Sequence, residues 1–155
     1  MYTREQARQL RQEFWTAFGQ YLAPHPSATG QKVNWINYKT GYRSLYFRMD
    51  ADRDRAYIGI VMAQRDPDLQ QLFYEQFLEL RGPLHGLLDE AWQWEEDATD
   101  EHGRAIRQIY TTQAPVNIFR KEDWPAIIAF LKPRILALDE FWSLAQDHFA
   151  PLRAW

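Results

Sequence analysis

Hydrophobic residues recur every three or four positions at both ends of the chain and every second position in its middle. From Thr3 to Leu22 the apolar positions follow the period of an amphipathic helix, and Thr3 with Gln6 forms a capping box at its start. The apolar stripe of this helix consists of Ala7, Leu10, Phe14, Phe18 and Tyr21. The next segment, Ala23 to Gly30, contains two prolines and a glycine, which predicts a loop.

Between Gln31 and Gln64 the hydrophobic period changes to two, which predicts an antiparallel meander of three strands. The predicted strands are Val33 to Tyr38, Ser44 to Asp50 and Ala56 to Met62. In the second of them apolar residues alternate with polar ones. We therefore expect helices to cover one face of the sheet and the other face to stay accessible.

The second half of the chain returns to helical spacing, interrupted by a second hairpin. Asp66 and Pro67 are typical of a helix start, and Gly82 with Pro83 is expected to kink or split this helix. A hairpin is predicted from Ala91 to Glu96 and Arg104 to Thr112, with a charged tip between them. A final helix is predicted from near Glu122 to Phe149, bent at Pro133.

These elements predict an α+β fold in which helices interrupt hairpins instead of alternating with single strands. The expected order is α-β-β-β-α-β-β-α, with an antiparallel sheet of about five strands packed by three helices mainly on one face. A chain of 155 residues can bury one sizeable core, so we expect residues 1–155 to form a single domain.

Composition excludes several classes of function. The absence of cysteine excludes disulfides, thiolate catalysis and cysteine-ligated zinc. A net charge of -3 argues against wrapping duplex DNA by bulk electrostatics. No stretch of about 18 apolar residues is present, so we expect a cytoplasmic protein that makes no contact with a membrane. The high aromatic content, 15%, fits a ring-rich core, a pocket, a base-stacking surface or a subunit interface.

Motifs for metal binding and catalysis are incomplete or missing. The segment Asp50 to Asp54 resembles the opening of a calcium loop, but Arg55 stands where the loop needs glycine and Val61 where it needs glutamate. The four histidines have no spacing typical of metal ligands. No Asp or Glu is followed two residues later by Lys, as restriction-type nucleases require. We therefore predict no metal site and no cofactor.

A constellation of aromatic and basic residues on the first hairpin is the candidate binding site. Tyr46, Arg48 and Tyr57 are expected on the same side of neighbouring strands, with Lys39 or Arg43 at the rim. Rings and arginines on a sheet can stack bases and contact phosphates. The same residues equally fit cross-strand packing that stabilises the sheet, or the contact of a homodimer.

Two classes of function remain open at this point. The first is a non-catalytic binding domain, self-associating or holding a protein or nucleic-acid partner on its open sheet face. The second is a small enzyme with Arg48, Tyr57 and Glu96 in a pocket. Because no recognisable catalytic set is present, the binding domain is the favoured interpretation.

Three sequence motifs resemble a bacterial family of domains of unknown function, family 4268. The motifs are Arg11-Gln12-Glu13-Phe14-Trp15, Phe119-Arg120-Lys121-Glu122-Asp123-Trp124-Pro125 and Leu138-Asp139-Glu140-Phe141-Trp142. The resemblance spans nearly the whole chain and brings no activity with it. Similar domains occur alone or after nuclease-like modules, so the resemblance implies an accessory role in restriction or defence.

Overall fold

A computed structural model describes residues 2–154, the side chain of Ala154 excepted. Four α-helices and four strands follow one another along these residues in the order α-β-β-α-α-β-β-α. The helices are α1 (Arg4–Leu22), α2 (Pro67–Glu79), α3 (Arg81–Leu88) and α4 (Trp124–Ala145). The strands are β1 (Leu45–Ala51), β2 (Ala56–Met62), β3 (Gln93–Thr99) and β4 (Ala105–Gln113). Short 3-10 helices precede and follow α4, at Lys121–Asp123 and Gln146–Ala154.

The four strands form one antiparallel sheet with the spatial order β1-β2-β4-β3. The α+β class is therefore confirmed, while the expected five strands and three helices are corrected to four of each among the described residues. The two hairpins join through β2 and β4, where Gly59 pairs with Tyr110. In β1, Arg48 pairs with the same glycine from the other side. This register places residues of three strands next to one another on each face.

The predicted strand from Val33 to Tyr38 is wrong, because this segment is a loop. The side-chain oxygen of Asn34 accepts a hydrogen bond from the backbone N–H of Asn37 at 3.2 Å, and such a turn interrupts an extended chain. The β-forming residues of the segment serve packing instead. Trp35 is buried and donates its indole N–H to the carbonyl of His25 at 3.0 Å.

The split in the second predicted helix is confirmed, although it lies slightly earlier than expected. α2 ends before Leu80, whose backbone leaves the helical region, and α3 begins at Arg81. Gly82 and Pro83 then occupy the first turn of α3, where proline needs no backbone donor. The fourth helix arises from this break.

The helices pack on one face of the sheet. Phe47 of β1 contacts Trp142 of α4 edge to face, with ring centroids 5.6 Å apart. Ile58 and Ile60 of β2 are fully buried on the same side. The core also contains a stack of Phe77 and other rings around α4 and the C-terminal 3-10 helix. The high aromatic content is thus largely explained by this core.

No helix among residues 2–154 is long and apolar enough to cross a membrane.

Candidate binding face of the sheet

The side of the sheet away from the helices carries the residues that the sequence singled out. Tyr46 pairs with Val61 and Arg48 pairs with Gly59, so these four side-chain positions share one face. Tyr57 lies on that face as well, opposite Asp50. We call this surface the open face and define it by the residues that it carries. They are Tyr46, Arg48, Asp50, Tyr57, Gly59, Val61, Gln93, Glu95, Ile106, Gln108, Tyr110 and Thr112.

A glycine in the middle of β2 allows one tyrosine ring to lie across the sheet. A Cβ atom at Gly59 would stand 2.8 Å from Cζ of Tyr57 and 2.9 Å from Cβ of Tyr110, distances that real side chains do not tolerate. The ring of Tyr57 therefore occupies the space above the glycine and stacks on Tyr110, with centroids 5.6 Å apart. Burial raises the pKa of the Tyr57 hydroxyl above its ordinary value, so the group is neutral and donates a hydrogen bond.

A polar chain continues from this tyrosine across β4 to β3. The hydroxyl of Tyr57 donates to Oε1 of Gln108 at 2.6 Å, and Nε2 of Gln108 donates to Oε1 of Glu95 at 2.7 Å. In parallel, the hydroxyl of Tyr110 donates to Oε1 of Gln93 at 2.7 Å. These bonds fix the positions of the side chains, so the centre of the open face is rigid before any partner arrives.

Arg48 is less constrained than the tyrosines. Its guanidinium carbon lies 4.5 Å from the centroid of the Tyr46 ring, an exposed cation–π contact. Both side chains are exposed to solvent, with Tyr46 at 39%. They form an accessible rim beside the rigid centre.

A groove of about 370 Å³ runs over the open face. Its lining includes two apolar side chains, Val61 and Ile106, whose exposed fractions are only 2% and 6%. Tyr57 and Gln108 line the same groove. The turn between β3 and β4 contributes Asp100 and its neighbours, Thr99 and Glu101.

The charged groups of the groove have an acidic excess. Two arginines, Arg48 and Arg55, face four carboxylates, which leaves two net negative charges. The carboxylates are Asp50, Asp52, Asp100 and Glu101. One of them is partly neutralised from outside the groove, because Nη1 of Arg11 on α1 lies 3.3 Å from Oδ1 of Asp50.

Two of these carboxylates are held in the ionised form by turns. Although partial burial raises the pKa of Asp52, hydrogen bonds from the backbone N–H groups of Asp54 and Arg55 outweigh it and place the pKa below its ordinary value. For Asp100, hydrogen bonds from the backbone of Arg104 and His102 lower the pKa in the same way. The calcium-like sequence thus folds as a hairpin turn in which Asp52 binds backbone N–H groups.

Neither Lys39 nor Arg43, the two candidates for the rim, lines this groove. Lys39 is exposed on the loop before β1 and lines neither this groove nor the pocket that contains Arg43. Arg43 lines a separate pocket at the end of the sheet where β1 begins. Tyr46, Arg48 and Tyr57 are therefore brought together by the fold, and the two rim residues are not.

The three residues of the enzyme hypothesis are not assembled into one pocket. Glu96 lies near Tyr74 of α2, whose pKa is raised by burial and by the charge of this glutamate. That position is on the helix side of the sheet, whereas Arg48 and Tyr57 are on the open face. The glutamate of β3 on the open face is Glu95, which accepts its hydrogen bond from Gln108.

Sequence reasoning missed the contribution of the second hairpin to the open face. Gln108 and Tyr110 alternate with the buried Ile109, so their shared side is visible in the sequence. Their position beside Tyr57 is not visible, because it depends on the pairing of β2 with β4. In residues 2–154 no three His, Asp or Glu side chains form a group that could hold a metal ion.

A family model with the description domain of unknown function (DUF4268) matches residues 10–146 of the 155-residue chain. The chain belongs to this family. The resemblance drawn from the three sequence motifs is thereby confirmed, and the DUF4268 region contains the entire open face. Comparison with curated proteins found no match, and comparison with solved structures found none either.

Proposed function

We propose that this DUF4268 protein is a non-catalytic binding domain whose open face receives a polypeptide segment with basic and apolar side chains. The observation that carries the proposal is the groove with its apolar floor at Val61 and Ile106 and its acidic excess at the rims. Because Val61 and Ile106 are exposed to only 2% and 6%, apolar side chains of a partner would bury little further surface there, and the charges of the groove dominate recognition. Lysine or arginine side chains of the partner would meet the carboxylates of Asp100 and Glu101.

The charge of the groove disfavours a nucleic-acid partner. Nucleic-acid binding draws most of its affinity from cations that neutralise phosphates, and the groove offers two arginines against four carboxylates. In addition, the ring of Tyr57 already stacks on Tyr110, so it has one face less to offer to a base.

The edges of the sheet are less suited to a partner strand than its face. Ser44 accepts a backbone hydrogen bond from Ala63, and Asp52 donates one to Arg55. Even-numbered residues of β1 therefore bond to β2, and odd-numbered residues direct their backbone groups to the free edge.

That free edge is blocked at both ends. The carbonyl of Leu45 accepts from the hydroxyl of Thr40 at 2.9 Å, and the carbonyl of Ala51 accepts from Arg11 at 3.0 Å. The opposite edge, β3, is irregular between Glu95 and Ala98 and rich in carboxylates. Such features disfavour the addition of a strand, so the proposed partner binds across the face.

Selection from a displayed library of random linear peptides tests the proposal. We expect the enriched peptides to combine lysine or arginine with valine, leucine or isoleucine. Glu101→Lys reverses a charge at the groove and should weaken these peptides by about tenfold, the effect of 1.4 kcal/mol. The matched control is Glu140→Lys, which makes the same change of charge on an exposed position of α4.

Four outcomes would overturn the proposal. Peptides whose binding is weakened equally by both charge reversals would place the binding site outside the groove. Enrichment of acidic peptides, or tight binding of single-stranded DNA at moderate salt, would contradict the charge argument. A dimer in light scattering that Glu101→Lys dissociates and Glu140→Lys does not would replace the polypeptide segment by a second copy of this chain.

A further inference from the structure

A pocket of about 720 Å³ lies at the end of the sheet where β1 begins, away from the open face. Three arginines line it, namely Arg43, Arg65 and Arg153, together with a single carboxylate, Asp66. The pocket therefore has two net positive charges, in a protein whose overall formal charge is -3. A local excess of this kind attracts anions.

The three arginines of the pocket differ in how far contacts with the protein fix their side chains. Arg153 is already positioned, since its guanidinium lies 4.1 Å from the centroid of the Tyr42 ring and donates to the carbonyl of Gly41 at 3.1 Å. Arg43 and Arg65 are exposed and form none of the salt bridges found among the described residues. Their guanidinium groups are available to bind an oxyanion in the forked geometry that arginine favours.

A buried amide in the same pocket points to an organic ligand. Gln64 is exposed to only 6%, and neither Nε2 nor Oε1 of its side chain has a hydrogen-bond partner among the described residues. An amide that is buried without partners destabilises a fold, and native proteins contain few of them. Gln64 lines the pocket, so a ligand there can supply the missing partners.

A second buried glutamine shows how the fold treats an amide with a structural role. Gln70, on the first turns of α2, is exposed to 4%. Its Nε2 donates to the carbonyls of Gln64 and Ala105, and its Oε1 accepts from Arg107 at 3.0 Å. Both polar atoms of the Gln70 side chain thus have hydrogen-bond partners within the fold. The amide of Gln64 has none among the described residues, so hydrogen bonding within the fold does not explain why a glutamine is buried at this position.

We infer that this pocket binds a small phosphate monoester whose organic part carries hydrogen-bonding groups. Three guanidinium groups less one carboxylate match the charge of about -2 on a phosphate monoester at neutral pH. The amide of Gln64 supplies one donor and one acceptor to a hydroxyl or amide of the organic part. The volume is that of a site for a small molecule, within the usual range of about 300–1,000 Å³.

Titration with three probes at constant ionic strength tests this inference. The probes are ribose 5-phosphate, inorganic phosphate and unphosphorylated ribose, each followed by calorimetry and by amide chemical shifts. We expect ribose 5-phosphate to bind most tightly, phosphate more weakly, and ribose not at all in the millimolar range. Arg43→Gln should weaken the binding of ribose 5-phosphate and of inorganic phosphate by about tenfold. The control Arg53→Gln makes the same substitution at an exposed position of the first hairpin and should leave both affinities unchanged.

The substitution Gln64→Met separates a ligand contact from a structural role. Methionine has a similar volume and no buried amide, so the free protein should become more stable toward urea. The affinity for ribose 5-phosphate should fall to that for phosphate, while binding of phosphate itself should persist. Absence of saturable binding by either phosphorylated probe would overturn the inference, as would unchanged affinity in Arg43→Gln or in Gln64→Met.

Discussion

The substitution Gly59→Ala tests the geometry of the open face most sharply. The new methyl group would lie 2.8 Å from Cζ of Tyr57 and 2.9 Å from Cβ of Tyr110, and closer still to the Tyr57 hydroxyl. Carbon atoms in contact are normally separated by about 3.5–4.0 Å. The ring of Tyr57 must therefore move away from the sheet.

The expected loss of stability follows from the contacts that this ring makes. Displacing Tyr57 sacrifices its hydrogen bond to Gln108, about 1 kcal/mol, and its stacking on Tyr110, about 0.5–1.5 kcal/mol. Repacking around the new methyl group adds about 1–3 kcal/mol. Restriction of the unfolded chain by alanine acts in the opposite direction, by about 0.4–1 kcal/mol. We expect the free energy of unfolding to fall by about 2–4 kcal/mol.

Urea unfolding, followed by tryptophan fluorescence and circular dichroism, measures this change. Gly82→Ala is the matched control, because nothing lies within 4 Å of its added Cβ and the position is helical. This control should raise the free energy of unfolding by about 0.5 kcal/mol. When Tyr57 is first replaced by alanine, Gly59→Ala should lose most of its cost and retain only that of the 2.9 Å contact with Cβ of Tyr110. If Gly59→Ala were as harmless as Gly82→Ala in the otherwise unchanged protein, the tyrosine would not lie across the glycine and the groove would have a different lining.

Two further predictions concern groups that tie the helices to the rest of the fold. Glu90 accepts two hydrogen bonds from Arg134, at 2.8 and 2.7 Å, and although burial raises its pKa, these bonds and one from the Trp92 indole lower it below the ordinary 4.5. The stabilisation that the ionised Glu90 provides is fully present above pH 4.5 and is lost as the pH falls through the lowered pKa. Glu90→Gln should therefore lower the free energy of unfolding in urea by about 1.5 kcal/mol at pH 7 and by much less in acid. An equal loss of stability at both pH values would refute this reasoning. The control is Glu5→Gln, at an exposed salt bridge, which should cost less than about 0.5 kcal/mol. Tyr38→Phe removes a 2.6 Å hydrogen bond to the buried carboxylate of Asp139 and should cost about 1–3 kcal/mol by the same assay, whereas a neutral effect would mean that the loop is not anchored to α4 by this bond.

Local signals in the sequence predicted most of the elements correctly. Thr3 and Gln6 form the capping box that their spacing indicated, and β2 spans the predicted residues Ala56–Met62. In both cases short-range chemistry decides the structure, through side-chain capping in one and strict alternation in the other. The expectation that helices cover one face followed from the same alternation.

The wrong strand shows where local signals are insufficient. Val33, Trp35 and Ile36 are residue types that favour strands, yet they pack on the core from a loop. β-propensity reports that a residue fits a half-buried surface, and a loop can supply such a surface as well. The Asn34 and Asn37 pair was the available signal for a turn.

The candidate site was predictable only in part, because it depends on contacts between distant segments. Alternation within one hairpin placed Tyr46, Arg48 and Tyr57 on one face. The neighbours that complete the groove come from β4, which pairs with β2 about 50 residues away in the chain. The position of Arg43 depends on a loop that the sequence pattern had assigned to a turn between strands.

Amide chemical-shift mapping of the labelled protein with a selected basic and apolar peptide is the most direct test of the binding face. Binding across the groove predicts that the largest changes occur at Arg48, Val61 and Gln108, with the outer surfaces of α1 and α4 unaffected. Changes confined to the helices, with the β2 and β4 resonances unmoved, would contradict the assignment of function to the open face.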